Sequence, residues 1–415
     1  RLNQSETNLL AEKLSAAVYD LVPFGAPADL AIVNTCTVTR EADAKSRKLV
    51  RQFIRQNPHA YTAVIGCYAQ IGAEALADIE GVDLIVGNQE KLNVLDYVAA
   101  GKNATPLIVR DRFLRDDFTI DFAGEGTPLT TRANLKVQDG CDFMCSFCVI
   151  PRARGRARSR ALPNLLDEAR SLVQRGAREL VLTGVNIGTY AWAGHDILAV
   201  VDTLAQLEGL ARIRISSIEP TTIPTALFDW MADPAHPLVP HLHIPLQSGS
   251  DRILQAMRRR YDRAAFIAFI EDAAARVPDL CIGTDVLVGF PGETEADFDD
   301  TARLLQDSPV HYAHVFKYSE RPGTASTRMR DTVAPATMAA RSARLRKLSA
   351  EKTQAFRARF IGREAELLIE RAQHGHWCGH TANYIPVAVR DAGDLRNTLH
   401  PVRLQHLGPE YAYGA

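Results

Sequence analysis

No stretch of the 415-residue sequence approaches the ~18 consecutive apolar residues that a membrane-spanning helix requires. A basic start with an apolar core and a small-residue cleavage site is also missing, so the expected compartment is the cytoplasm. Charge of one sign is lacking too: 48 Lys/Arg against 49 Asp/Glu leave a net charge of −1, and the average field selects no partner. Gly (26) and Pro (21) stand at ordinary levels, which excludes collagen-like and disordered classes. Cysteine is sparse at seven and odd in number; without a secretory start, that argues against a disulfide framework and for thiols that bind metal, react or pack.

The length exceeds one core, so two or three domains are expected. Apolar runs at Leu30–Asn34, Tyr61–Ile65 and Val82–Val86, with helical segments between them, give a parallel α/β pattern. A Gly- and Pro-containing boundary at 111–130 separates it from a second series of strands at Ala133–Val137, Leu180–Thr183, Ile213–Ser216, His241–Leu246, Ile282–Val288 and His314–Lys317. Six β-α units in succession predict a curled parallel sheet, a partial (β/α) barrel. After Pro335 comes a long helix, then short strands at Glu366–Glu370, Tyr384–Val389 and Leu399–Leu404 that read as a small OB-like β-barrel. The expected domains are 1–125, 126–350 and 351–415.

The neutral total conceals local charge. Residues 327–363 hold 10 Lys/Arg against 2 Asp/Glu, and Arg152, Arg154, Arg156, Arg158 and Arg160 alternate with no acid among them. Each stretch is either a solvated face or a phosphate-binding one.

The strongest signal is Cys141-Asp-Phe-Met-Cys145-Ser-Phe-Cys148, just past the first strand of the second series. Offsets of 4 and 7 bring three thiolates to one turn of chain, which suits an iron–sulfur cluster. A structural zinc would want a fourth Cys or His nearby, and none follows before Arg160. Cys36 and Cys67 each sit just past a strand's carboxyl end, where open α/β sheets gather ligands; they are either two core cysteines or parts of one site. Cys281 and Cys378 lack a partner motif and read as packing residues, and His374, His376 and His380 read as part of a Gly-rich turn.

Cys-x-x-x-Cys-x-aromatic-Cys in this setting resembles the radical S-adenosylmethionine enzymes. Asn34-Thr-Cys36, Gly66-Cys67, Pro245-Leu-Gln-Ser-Gly-Ser250, Asp285-Val-Leu-Val-Gly-Phe-Pro-Gly-Glu-Thr294 and Thr381-Ala-Asn-Tyr-Ile385 narrow the resemblance to the methylthiotransferases, over essentially the whole chain. That resemblance implies an amino-terminal auxiliary-cluster domain, a radical S-adenosylmethionine domain and a carboxy-terminal RNA-binding TRAM domain. It implies two [4Fe-4S] clusters, one on Cys141, Cys145 and Cys148 and one on Cys36, Cys67 and a third cysteine placed directly before Arg1. It also implies S-adenosylmethionine as methyl donor and radical source, a tRNA anticodon stem-loop as partner, an electron donor such as flavodoxin or ferredoxin, and a monomer.

Ser216-Ser-Ile-Glu-Pro220 and Met257-Arg-Arg-Arg-Tyr261 look most like the branch that modifies threonylcarbamoyladenosine in tRNA. The alternatives are isopentenyladenosine in tRNA and a ribosomal-protein aspartate; from another class, an RNA-binding protein with a structural metal. The resemblance places Phe147, Thr183, Gly184, Asn186, Glu219, Gln247, Ser248 and Gly249 around the cofactor. RNA contacts are expected from Arg154, Arg156, Arg158, Arg160, Arg344, Arg346, Lys347 and Tyr384.

Overall fold

The computed structural model describes residues 2–98, 101–110, 117–122, 124, 131–390 and 393–415. Most of the expected boundary at 111–130 therefore lies outside the described residues.

The amino-terminal unit is a four-stranded parallel sheet in the order β1 (Leu30–Thr35), β2 (Tyr61–Gly66), β3 (Leu84–Val86), β4 (Leu107–Val109). Helices α1 (Leu2–Ala16), α2 (Arg40–Gln56), α3 (Cys67–Ile71) and α4 (Ala73–Ala77) accompany it. Thr39 starts α2 by accepting a hydrogen bond from the Ala42 amide, with Glu41 and Asp43 in the positive first turn. Val50, Val64, Leu76 and Ile85 form the core on one face, and Leu10, Tyr61, Ile65, Leu84 and Val94 on the other. With both faces covered, β2 is buried at every residue, as its unbroken apolar run requires.

The second unit has six parallel strands: β5 (Arg132–Lys136), β6 (Glu179–Thr183) and β7 (Arg212–Ile215) in one run, and β8 (His241–His243), β9 (Cys281–Val288) and β10 (Tyr312–Lys317) in another. A parallel bridge between Ile213 and Leu238 connects the runs into a curled half barrel. Alternate residues divide the faces. Leu135, Leu180, Leu182, Ile213, Ile215 and Ile282 pack into the main core, whereas Glu179, Arg214, His243 and Asp285 face one another across the interior, with Arg214 Nε 2.6 Å from Glu179 and His243 Nε2 3.0 Å from Asp285. The crossovers include α5 (Ile150–Arg154), α6 (Leu162–Gln174), α7 (Ile197–Ala205), α8 (Ala226–Ala232), α9 (Asp251–Ala256), α10 (Arg263–Arg276) and α11 (Glu295–Asp307). The α11 start carries a capping box between Thr294 and Asp297.

Helix α12 (Pro335–Ala358) runs along β10 and α11 and leads into a closed barrel of β11 (Glu364–Gln373), β12 (His376–Thr381), β13 (Pro386–Val389), β15 (Ala412–Gly414) and β14 (Leu399–Leu407), in that order. Three expectations are corrected. The boundary at 351 falls inside α12, which is continuous because Leu345 and Phe356 are both buried. β8 stops at His243, three residues short, because Pro245 cannot donate to a ladder and Gln247 has φ 68°. The segment read as a Gly-rich turn is largely strand β12, paired with β11 and β13; Gly379 is needed where an added Cβ would sit 1.9 Å from the Leu368 carbonyl oxygen.

The small barrel closes the amino-terminal end of the half barrel. Arg212 donates to the His380 and Glu366 carbonyls at 3.0 and 2.8 Å, Arg214 to the Ala382 carbonyl at 2.9 Å, and Arg132 pairs with Glu370 at 3.1 Å. Tyr384 sits in this layer, with the Arg214 and Arg132 guanidinium carbons 5.0 and 5.3 Å from its ring centroid.

Candidate functional site

The cysteine loop begins where β5 ends. Gly140 has φ 72°, and a Cβ there would sit 1.9 Å from the Arg156 carbonyl oxygen, so the chain entering the loop admits only glycine. The Cys141 amide donates to the Gly155 carbonyl at 3.1 Å, which ties the start of the loop to its exit. Ser146 fixes the middle: its amide donates to Met257 at 3.0 Å, its hydroxyl to Ala256 at 2.8 Å, and its carbonyl accepts from Ser326 at 2.8 Å. Phe147 packs edge-on against Phe290, with ring centroids 6.4 Å apart.

Burial pushes the Cys141 thiol up to about 11 and the Cys148 thiol to about 12, and each thiol's charge bears on its neighbours. Cys145 is also raised by burial, against the pull of Arg259, whose Nη1 lies 3.2 Å from its sulfur. Among the described residues no three His, Cys, Asp or Glu side chains gather into a mononuclear metal site.

The strand ends around the loop are joined by side chains. Gln138 accepts from the Val185 and Asn186 amides at 2.9 and 3.0 Å and donates to the Gly140 carbonyl at 2.8 Å, so one side chain links the end of β6 to the cysteine loop. Asn186 accepts from Thr222 at 3.0 Å, and its buried Nδ2 has no partner among the described residues, leaving a donor for a bound group. Glu219, beyond the end of β7, pairs with Arg259. Three soft thiols on one loop and an unsatisfied donor at a neighbouring strand end suit an iron–sulfur cluster with a polar cofactor beside it.

Several expected cofactor residues are occupied within the protein. The Thr183 hydroxyl donates to the Leu135 carbonyl at 3.2 Å, and the Gly184 Cα approaches Gln138 so closely that a Cβ would meet it at 3.0 Å. The Ser248 hydroxyl and the Gly249 amide both reach Thr301 on α11, at 3.4 and 2.9 Å. Gln247 bridges to Val286 through its backbone. These five residues hold the β6 and β8 ends in place.

Cys36 and Cys67 do come together. Thr35 and Gly66 are register partners on β1 and β2, so the cysteines that follow them leave adjacent strand ends side by side. Helix α3, which Cys67 opens, packs against α5, the helix that follows Cys148. Arg154, at the end of α5, belongs to a buried charge cluster. Glu6 on α1 meets Lys91 at 2.6 Å, Arg154 at 2.9 Å and Lys136 at 3.0 Å, while Asp139 meets Lys136 at 2.6 Å and Arg154 at 3.1 Å. Burial alone would raise the Glu6 carboxyl; Arg154, Lys91 and Lys136 together hold it well below the usual range. Three cations face two anions, and Cys67 is the next acidic group in reach of Arg154 and Lys91.

This corrects the arginine reading. Arg154, Arg158 and Arg160 are 2%, 8% and 0% exposed and engaged with Glu6 and Asp139, with Gln89, and with Glu168, so they cannot face phosphate. Arg156, paired with Asp142 at 3.4 Å, stays on the surface, and the run does not keep to one face because Gly155, at φ 79°, turns the chain within it. Tyr384 is half-buried, its ring packed against Arg132 and Arg214. Arg344, Arg346 and Lys347 are exposed on α12, Arg344 pairing with Asp299. Sequence reasoning missed Gln138, Arg259, Glu6 and Asp139; Arg259 stood inside a noted motif and Glu6 in the family-like opening segment Arg1-Leu-Asn-Gln-Ser-Glu6, with no role given to either.

The Radical SAM superfamily model matches residues 135–305, and the Uncharacterized protein family UPF0004 model matches residues 1–87. The threonylcarbamoyladenosine tRNA methylthiotransferase MtaB of Bacillus subtilis (strain 168) is 35% identical over 100% of this chain and 94% of its own. The protein of the same name from Aquifex aeolicus (strain VF5) is 36% identical over 89% and 90%. The tRNA-2-methylthio-N(6)-dimethylallyladenosine synthase of Cereibacter sphaeroides is 34% identical over 100% and 96%. Among solved structures, the radical S-adenosylmethionine methyltransferase TsrM from Kitasatospora setae superposes with a TM-score of 0.53 at 15% identity, covering 76% of this chain and 64% of its own, a likeness of fold.

Proposed function

The chain belongs to the radical S-adenosylmethionine methylthiotransferases, and on that premise we propose that it methylthiolates C2 of N6-threonylcarbamoyladenosine beside the anticodon of tRNA. The observation that carries the substrate is the run of relatives bearing that activity in their names, 32 to 36% identical over most or all of the chain. Isopentenyladenosine is the second reading, favoured by relatives of the dimethylallyladenosine type at 34 and 35% identity.

In this reading Cys141, Cys145 and Cys148 hold one [4Fe-4S] cluster, and Cys36 and Cys67 contribute to a second. A reduced cluster with S-adenosylmethionine supplies radical chemistry, which an adenine C2–H, having no acidic proton, requires. The chain's own residues do the rest. Gly140 and Ser146 fix the loop that presents the thiols, Gln138 sets its distance from the β6 end, and Asn186 offers its free amide N–H to the cofactor. The docked α3 and α5 bring the two cysteine groups to one face. Arg156, Arg344, Arg346 and Lys347 are the surface cations available to the phosphates of an anticodon stem-loop, whose unstacked bases can leave the loop at low cost. The enzyme acts in the cytoplasm as a monomer with flavodoxin or ferredoxin as electron donor.

The test is a turnover assay with reconstituted protein and two tRNAs, one carrying threonylcarbamoyladenosine and one isopentenyladenosine. Methylthio product from the first alone supports the proposal; product from the second alone replaces it with the second reading.

A further inference from the structure

Arg259 joins a cysteine of the loop to a carboxylate at a strand end. It follows α9, and its side chain is 4% exposed. Nη1 donates to Cys145 Sγ at 3.2 Å, Nη2 pairs with Glu219, and Nε and Nη2 reach the Tyr261 hydroxyl at 3.1 and 2.9 Å. The Tyr261 hydroxyl in turn donates to the Leu246 carbonyl at 3.1 Å, so the guanidinium is held from the ends of both β7 and β8. A planar fork fixed on three sides has little freedom to turn away from the sulfur.

We propose that Arg259 is a positioning residue for the cluster held by Cys141, Cys145 and Cys148: its N–H bond to Cys145 Sγ raises the reduction potential of that cluster, and Glu219 limits the rise. The inference rests on the cluster assignment made above. The physics is direct. Reduction adds negative charge to a cluster and its sulfurs, and a charged N–H donor on a ligating sulfur stabilises the reduced form more than the oxidised one. Glu219, ion-paired with the same guanidinium, subtracts from that field. Removing the donor and removing its counter-charge therefore act in opposite directions. A side chain that merely packs the loop would not separate the two.

The test is an electron paramagnetic resonance redox titration of the full chain, reconstituted with iron and sulfide, without S-adenosylmethionine or tRNA. Cys36→Ala and Cys67→Ala are present in every sample so that one cluster titrates. Arg259→Met is expected to keep about four irons per chain and to move the midpoint to a more negative value. Glu219→Gln is expected to move it to a less negative one. Arg259→Lys keeps the charge without the fork and is expected to fall between Arg259→Met and the parent; it decides the question if Arg259→Met loses its iron. Midpoints that stay with the parent in all variants, or that move the same way in Arg259→Met and Glu219→Gln, overturn the inference. So does an unmoved midpoint together with weakened S-adenosylmethionine affinity in a separate equilibrium-binding titration of the same samples, which makes Arg259 a cofactor ligand instead. A parent that assembles no cluster overturns the cluster assignment itself, a distinct outcome.

Discussion

Glu6 shows what a single residue can contribute to joining two units. It is fully buried, lies on the first helix, and meets cations from the amino-terminal unit (Lys91) and from the half barrel (Lys136, Arg154). Glu6→Ala leaves three buried cations with one acid, and is expected to cost about 3–5 kcal/mol in chemical denaturation, the scale of a broken buried pair. The pH dependence follows the same contacts. Because the folded carboxyl titrates well below the unfolded one, its stabilisation is complete above the ordinary carboxylate range and disappears as pH falls toward the folded value. Gly140→Ala should reduce iron loading of the cysteine loop, measured as iron per chain, since its Cβ would meet backbone 1.9 Å away.

At this scale the sequence was legible where spacing alone places the residues, as in Cys141, Cys145 and Cys148, which share one loop. It was not legible where the partner is remote. Nothing near Arg154 announces Glu6, which lies 148 residues earlier, and so an alternating arginine run read as a surface stripe although three of its members point inward.

Among elements, β1 and β2 were readable as apolar runs, and their shared register explains why Cys36 and Cys67 emerge together. Helices α7 and α8 and strand β12 were not. In β12, His376-Trp-Cys-Gly-His-Thr381 has histidines and a glycine where a strand pattern wants apolar residues, and only the pairing with β11 and β13 makes it one. The contact between α12 and β9 carries a pH prediction. His311 accepts from the Ile282 amide at 3.0 Å and lies 4.1 Å from the Phe356 ring, and burial, with Arg359 and Lys352 nearby, lowers it to about 4. Between the unfolded value near ~6.5 and the folded one, only the unfolded chain takes up this proton, so stability falls as pH drops. A loss of roughly 1–2 kcal/mol from this group by pH 5 is expected on that basis. Denaturation curves at pH 7 and 5 for the parent and a His311→Asn variant check it, the variant losing less.

For the whole molecule, the arrangement places the cysteine groups at the carboxyl ends of the strands and the small barrel at the opposite end, fastened by Arg132, Arg212 and Arg214. Three units and their order were visible in the sequence; how they dock was not, because the fastening residues are interior charges that no apolar pattern reveals. RNA affinity then falls to surface cations. Replacing Arg344, Arg346 and Lys347 with Gln should weaken tRNA binding and reduce the magnitude of the log-affinity against log-salt slope by about 2 to 3 if each meets a phosphate. An unchanged slope would remove α12 from the interface.

The central claim is the substrate, and it is tested most directly by mass spectrometry of nucleosides from bulk tRNA of a strain lacking this protein. Threonylcarbamoyladenosine should persist there while its methylthio form is lost, and the methylthio form should return on complementation by the parent chain and not by a Cys145→Ala variant. An unaltered level of the methylthio form, or a loss confined to methylthio-isopentenyladenosine, would contradict the account.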